Sequence, residues 1–415
     1  MGTPDGTEKS LGAFIDTNHQ EQVRFLADMV RVPTDNPPGD CAPHAERTAR
    51  LLEKIGLRVE RHPVPADEAR ANTMLSATNL VVRRRFGDGP VIALNAHGDV
   101  VPPGEGWSRD PYGAEILDGE MYGRGVAVSK SDFATYTWAL LALETVAEGL
   151  GGTVELHFTY DEETGGTIGP QWLLEKGITR PDYAISAGFG YGVVTTHNGC
   201  LHLEAEIRGR QAHAAMPHTG VDALEAATGV LAAIYEYRTR CGETRSQVAG
   251  IDSPTVVVGL IEGGVNTNVV PDLVSLRIDR RLIPEEDADT VEAEITTLIE
   301  KAAARTPGAS SAVRRILLAR PLVPLPGTDR IADPLARHAS RVIGEEVTAG
   351  GVPLYTDARH YAEAGIPTVL YGAGPRTIFE ANAHAADERL NLDDLRKATL
   401  VVALALAEIL AVDLR

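Results

Sequence analysis

From about residue 20 to 197, short apolar runs alternate with helix-length amphipathic runs; the alternation stops near 198 and resumes after about 318. "EQVRFLADMVRVP" has helical spacing and stops before Pro33, and "NLVVRRRFG" and "PVIALNAHGD" are strand-like. The second strand is nearly all apolar, which places it centrally in a sheet. A helix "DFATYTWALLALETVAEGL" follows, with Asp132 as its expected N-cap, then strands "GTVELHFTYDEE" and "DYAISAG". The interrupting segment runs strand-helix-strand-strand-helix-strand, the split βαβ order of a small α+β sandwich. The last hundred residues return to helix, strand "PTVLYGAG" and helix. The pattern predicts a two-domain α/β chain, with one domain formed by residues 1–197 and 318–415 and an inserted ferredoxin-like α+β domain at 198–317.

Length agrees, since 415 residues exceed what one compact core usually holds. The 39 basic against 58 acidic side chains leave a formal charge of −19, which argues against nucleic acid or an anionic membrane as partner. Cys41, Cys200 and Cys241 are odd in number, widely spaced and without a CxxC pair, so a disulfide framework or zinc knuckle is not expected and a reducing cytoplasm is. Residues 1–20 are polar, with no apolar core for a signal peptide, and the apolar "LVVALALAEIL" is too short to span a bilayer.

Three short segments carry chemistry. In "NAHGDVV", His97 ends a buried strand and Asp99 follows two residues on; a histidine that binds a metal needs an acceptor on its other ring nitrogen, and a nearby carboxylate supplies one. In "YDEETGG", Asp161, Glu162 and Glu163 stand at a strand's C-terminal end, where open α/β sheets bind ligands. Adjacent glutamates can divide labour, one holding a metal and the other taking a proton from the attacking water. "NAHAADE" offers His384. Each segment alone is ordinary.

Together, with "FLADMVRVPTDNPPGD", "MYGRG", "GRQAHAAMPHTGVDAL", "GLIEGGVNTNVVPD", "DRRLIP" and "YTDARHYAEAGIPTVLYGAG", the chain resembles the zinc-dependent aminoacylase, acetylornithine deacetylase, succinyl-diaminopimelate desuccinylase and glutamate carboxypeptidase family over nearly its whole length. The resemblance implies a phosphorylase/hydrolase-like catalytic domain, an inserted lid and dimerisation domain, a homodimer, and two zinc ions bridged by an aspartate. It implies that His97, Glu163 and His384 are metal ligands, that Asp99 stands behind His97, and that Glu162 is the general base. It further implies that His213 polarises the scissile carbonyl in the partner's pocket, and that Asn268 and Arg281 hold a substrate carboxylate.

The resemblance breaks in "GRGVAVSKSD" and "ISAGFG": Val128 stands where the family has the bridging aspartate, and Gly188 where it has another acidic ligand. A catalytic zinc takes three protein ligands, so the remaining set allows one zinc or none. Three readings follow: an amide or peptide hydrolase with a single zinc; a metal-independent acid–base enzyme performing cyclisation, condensation, isomerisation or elimination; or a non-catalytic binding or partner subunit. Loss of two ligands from one metal, with the other four chemical residues kept, favours a changed site over decay. Asn268 and Arg281 point to a small substrate with a free carboxylate.

Overall fold

The computed structural model describes residues 5–411 and contains two compact units: Met1–Thr195 with Pro324–Gly350 and Thr356–Arg415, and Thr196–Val323 with Gly351–Tyr355.

The larger unit is built on a mixed sheet. Its strands run in the spatial order Val59–Pro63, Thr78–Arg85, Thr153–Thr159, Val91–His97, Tyr183–Ser186, Thr368–Leu370, Val193–His197 and Ala349–Val352. The four from Thr153–Thr159 to Thr368–Leu370 are mutually parallel, so their C-terminal ends open on one edge. Register aligns them closely, with His97 opposite Thr159 and Asn95 opposite Ser186. The loops that leave these strands therefore converge, as ligand-binding loops do in open α/β sheets.

Helix Lys130–Leu143 packs on the Val91–His97 and Thr153–Thr159 strands and is buried on all sides except at Leu141. Asp5–Val30 and Leu392–Ile409 cover it, and Asp329–Ile343 packs on the latter. Leu392–Ile409 begins at a true cap: Asn391 Oδ1 accepts from the N–H groups of Asp393 and Asp394 at 2.8 and 3.4 Å. The first helix starts at Asp5, well before the helical spacing read from residue 21. Leu11 and Ile15, an i, i+4 pair in a polar context, are fully buried, and that contact is enough to extend it.

The smaller unit is an antiparallel sheet ordered Thr255–Gly263, Leu273–Leu282, Gly199–Arg208, Ser310–Ala319, with helices Ala223–Cys241 and Ala288–Ala303 packed against each other. Asp222 and Asp287 cap the helices through side-chain oxygens. Leu201, Leu203, Ala205 and Ile207 alternate into the core under these helices, so Cys200 and His202 project from the opposite face. Among the described residues no helix is long and apolar enough to cross a membrane.

Candidate active site

The C-terminal edge of the parallel strands gathers His97, Asp99, Glu162 and Glu163. His97 Nδ1 lies 3.0 Å from the Asp99 carbonyl oxygen and 3.3 Å from Asp99 Oδ1. With Nδ1 engaged, Nε2 points at Glu162 Oε2, 3.9 Å away. Ser129 fixes the backbone beneath: its hydroxyl accepts from His97 N–H at 3.1 Å and donates to His97 C=O at 3.0 Å. Asp99 also sets the glutamates. Its carboxylate accepts from the N–H groups of Glu162 and Glu163 at 3.3 and 3.1 Å and from Asn36 Nδ2 at 3.0 Å.

Donor atoms of His97, Glu162 and Glu163 lie within 4.8 Å of one another, a spacing that suits a cation. Glu163 Oε1 is buried without a hydrogen-bond partner, with His384 Nε2 3.4 Å away. His384 is half exposed in a turn that precedes the short strand Arg389–Asn391; its φ of 61° lies in the left-handed region, a strained placement of the kind found at functional sites. Burial disfavours charge on His97, but Glu162, then Asp99 and Glu163, outweigh it and hold the ring well above its ordinary value. Burial pushes Glu162 up to about 8 against the pull of His97; the like charges of Glu163, Asp99 and Asp161 add less than burial does.

Val128 sits on a pinned loop. Glu388 Oε1 accepts from the N–H groups of Ala127 and Val128 at 3.0 and 3.3 Å, while Oε2 pairs with Arg124 at 2.6 Å, the whole ion pair being buried. Lys130 is buried too, donating to Val32 C=O at 3.2 Å, and burial lowers it to about 8.

Asp132 does not cap its helix, which begins at Lys130 with Ser129 in the N-cap position. That one-turn displacement turns the carboxylate inward. Oδ1 accepts from Ala373 N–H at 2.7 Å and Oδ2 from Gly188 N–H at 3.3 Å. A buried carboxylate thus rests against Gly188, but it stands outside the His97–Glu162–Glu163 cluster. Burial raises Asp132 to about 7. The site has closed around this arrangement. A Cβ on Gly188 would meet Leu370 Cβ and Tyr371 N at 2.8 Å, and one on Gly372 would meet Asp132 Oδ1 at 2.2 Å.

Asp161 and Asp357 form a second buried acidic layer, each with one oxygen lacking a hydrogen-bond partner, and burial raises both well above the carboxylate range. Asp357 was not singled out from sequence. Its only cue was a place in "YTDARHYAEAG", a segment that already carried the family resemblance.

The other sequence-selected residues belong to the smaller unit. His213 is exposed, with Nδ1 accepting from Ala215 N–H at 3.0 Å, and Asn268 is exposed, its carbonyl accepting from Ala214 N–H at 3.0 Å. Arg281 is half-buried; its fork binds both oxygens of Asp279 at 2.9 and 3.1 Å and lies over the Tyr355 ring.

Residues 93–408 match the sequence profile of Peptidase family M20/M25/M40, and the chain belongs to that family of peptide and amide hydrolases. The succinyl-diaminopimelate desuccinylase of Wolinella succinogenes is 30% identical over 327 residues, covering 76% of this chain and 83% of that protein. Among solved structures, aminopeptidase PepT from Bacillus cereus superposes with a TM-score of 0.72 at 23% identity, covering 94% of this chain and 99% of that one. Bacillus subtilis YXEP, described as a dinuclear metal-binding peptidase of the M20 family, superposes with a TM-score of 0.67 at 17% identity, covering 95% and 99%. These likenesses establish the mixed α/β fold.

Proposed function

We propose that this chain hydrolyses an amide or peptide bond in a small carboxylate-bearing amino-acid derivative, an N-acyl amino acid or a dipeptide, using at most one zinc ion at the strand-end site. The observation that carries the reading is the donor set itself. His97 Nε2 is left open by an engaged Nδ1, Glu163 Oε1 is buried with His384 Nε2 3.4 Å away, and by the family resemblance Val128 and Gly188 stand where two further carboxylates would be. The His97, Glu162 and Glu163 donor atoms are close enough to share one cation, with His384 Nε2 3.4 Å from Glu163 Oε1, and we read the site as holding no second ion. His97, Glu163 and His384 would hold the one ion, a His₂Glu set of the kind found in mononuclear hydrolases. A zinc so held supplies Lewis acidity toward the scissile carbonyl and acidifies water.

The remaining chemistry belongs to the chain. Glu162 accepts the proton of the attacking water and returns it to the leaving nitrogen. Asp99 keeps His97 in one tautomer and fixes the backbone of both glutamates. Asn268 and Arg281 would hold the substrate carboxylate, Arg281 by releasing the Asp279 carboxylate that its fork binds here. The exposed His213 completes the pocket of a second copy, so the working form is a homodimer, and three unpaired, buried cysteines accord with a cytoplasmic setting.

The raised positions of His97 and Glu162 favour a second reading, in which the pair shuttles a proton without any metal. Glu162→Gln should lower turnover of N-acyl amino acids or dipeptides by at least about a hundredfold with zinc content unchanged. Turnover within a few-fold of wild type would remove Glu162 from the mechanism, and no turnover of such substrates by the wild type itself would leave a binding subunit. Full turnover after exhaustive chelation would select the metal-free reading.

A further inference from the structure

The smaller unit carries a second cluster of donor atoms, none of which belongs to the His97–Glu162–Glu163 cluster. Cys200 and His202 lie on one face of the Gly199–Arg208 strand, and Asp279 faces His202 from the neighbouring Leu273–Leu282 strand as its register partner. Cys200 Sγ is 3.2 Å from His202 Nε2, His202 Nε2 is 3.3 Å from Asp279 Oδ2, and Cys200 Sγ is 3.9 Å from Asp279 Oδ1.

We propose that Cys200, His202 and Asp279 form a binding site for one thiophilic divalent cation of the zinc class, tying two strands of the smaller unit's sheet together.

The spacing fits tetrahedral coordination. Zinc–ligand bonds of about 2.0–2.3 Å place sulfur, nitrogen and oxygen ligands about 3.4–3.6 Å apart, close to all three separations. The orientation excludes the obvious alternative, a cysteine nucleophile with a histidine–aspartate relay. A relay engages opposite ring nitrogens, thiol on one and carboxylate on the other. Here thiol and carboxylate both address Nε2, so the three groups converge on one point. Cys200 is also fully buried, which suits a ligand and closes the sulfur to a substrate, while His202 and Asp279 are each about one-third exposed and give an ion a way in.

Arg281 bonds both Asp279 oxygens, and each oxygen retains a lone pair for a cation. A cation here also bears on Arg281, because both share Asp279.

Cobalt(II) tests this, because a thiolate ligand gives it a near-ultraviolet charge-transfer band that the sulfur-free His97–Glu162–Glu163 cluster cannot produce. Titrating the full chain should give that band, saturating at one equivalent. Cys200→Ser should abolish it, and His202→Gln, at a partly exposed position, should weaken cobalt binding at least tenfold. No band in the wild type, or a band unchanged in either variant, would overturn the proposal. Activity plays no part in the readout, so failure here is distinct from failure of the hydrolase reading.

Discussion

Replacing Asp132 by Asn isolates the carboxylate that lies against Gly188. In the folded chain Asp132 is fully buried and raised from 3.8 to about 7, chiefly by loss of solvent and against the two backbone N–H groups it accepts. A shift of about 3 units is worth about 4 kcal/mol, at 1.36 kcal/mol per unit. The folded state holds its proton where the unfolded chain has released it. Stability from this group is therefore full below pH 4, falls as pH rises from 4 to 7, and is gone above 7. Asparagine does not titrate, and it can accept at only one of the two N–H groups. Urea unfolding of both proteins from pH 4 to pH 8 should show wild type the more stable at low pH, with the gap shrinking by about 4 kcal/mol by pH 8. Global charge effects cancel in the difference. A gap constant to within about 1 kcal/mol would refute the claim that a neutral carboxyl is what this pocket accommodates.

Gly188→Ala should destabilise the larger unit by about 1–3 kcal/mol in the same assay, because its Cβ meets Leu370 and the Tyr371 backbone at 2.8 Å; a neutral effect would show that the Leu370–Tyr371 segment yields. A carboxylate therefore cannot simply be restored at 188 by one substitution. His213→Ala and Glu162→Gln should each be inactive alone yet recover about a quarter of wild-type activity when subunits are exchanged, as a pocket shared across a two-fold dimer requires; no recovery would place His213 outside the partner's site.

Much of this was legible in the sequence, because its signals were local. The alternation broken at 198 indicated a mixed α/β unit and an α+β unit, and "NAHGD" with "DEETGG" indicated a strand-end cluster. His97 and Glu162 come together because two parallel strands end in register, which a central apolar strand implies. The misses depended on directions that spacing does not encode. Asp132 was read as a cap because it precedes the apolar run, but the cap is Ser129, three residues earlier, and the helix turns the Asp132 side chain toward Gly188. Asp357 reaches the buried acidic layer only after the chain crosses back from the inserted segment. The cysteine count spoke against a knuckle motif but could not see that Cys200 meets Asp279 through strand pairing across 79 positions, which no local motif reveals.

The central claim is that the strand-end site holds one zinc ion at most. Elemental analysis of Cys200→Ser protein, purified without a metal-affinity tag, measures that site without the thiol cluster. The account predicts no more than one zinc per chain, lost on His384→Ala. Two tightly bound zinc ions per chain in the Cys200→Ser protein would contradict it, and would show that Val128 and Gly188 do not mark the loss of a dinuclear centre.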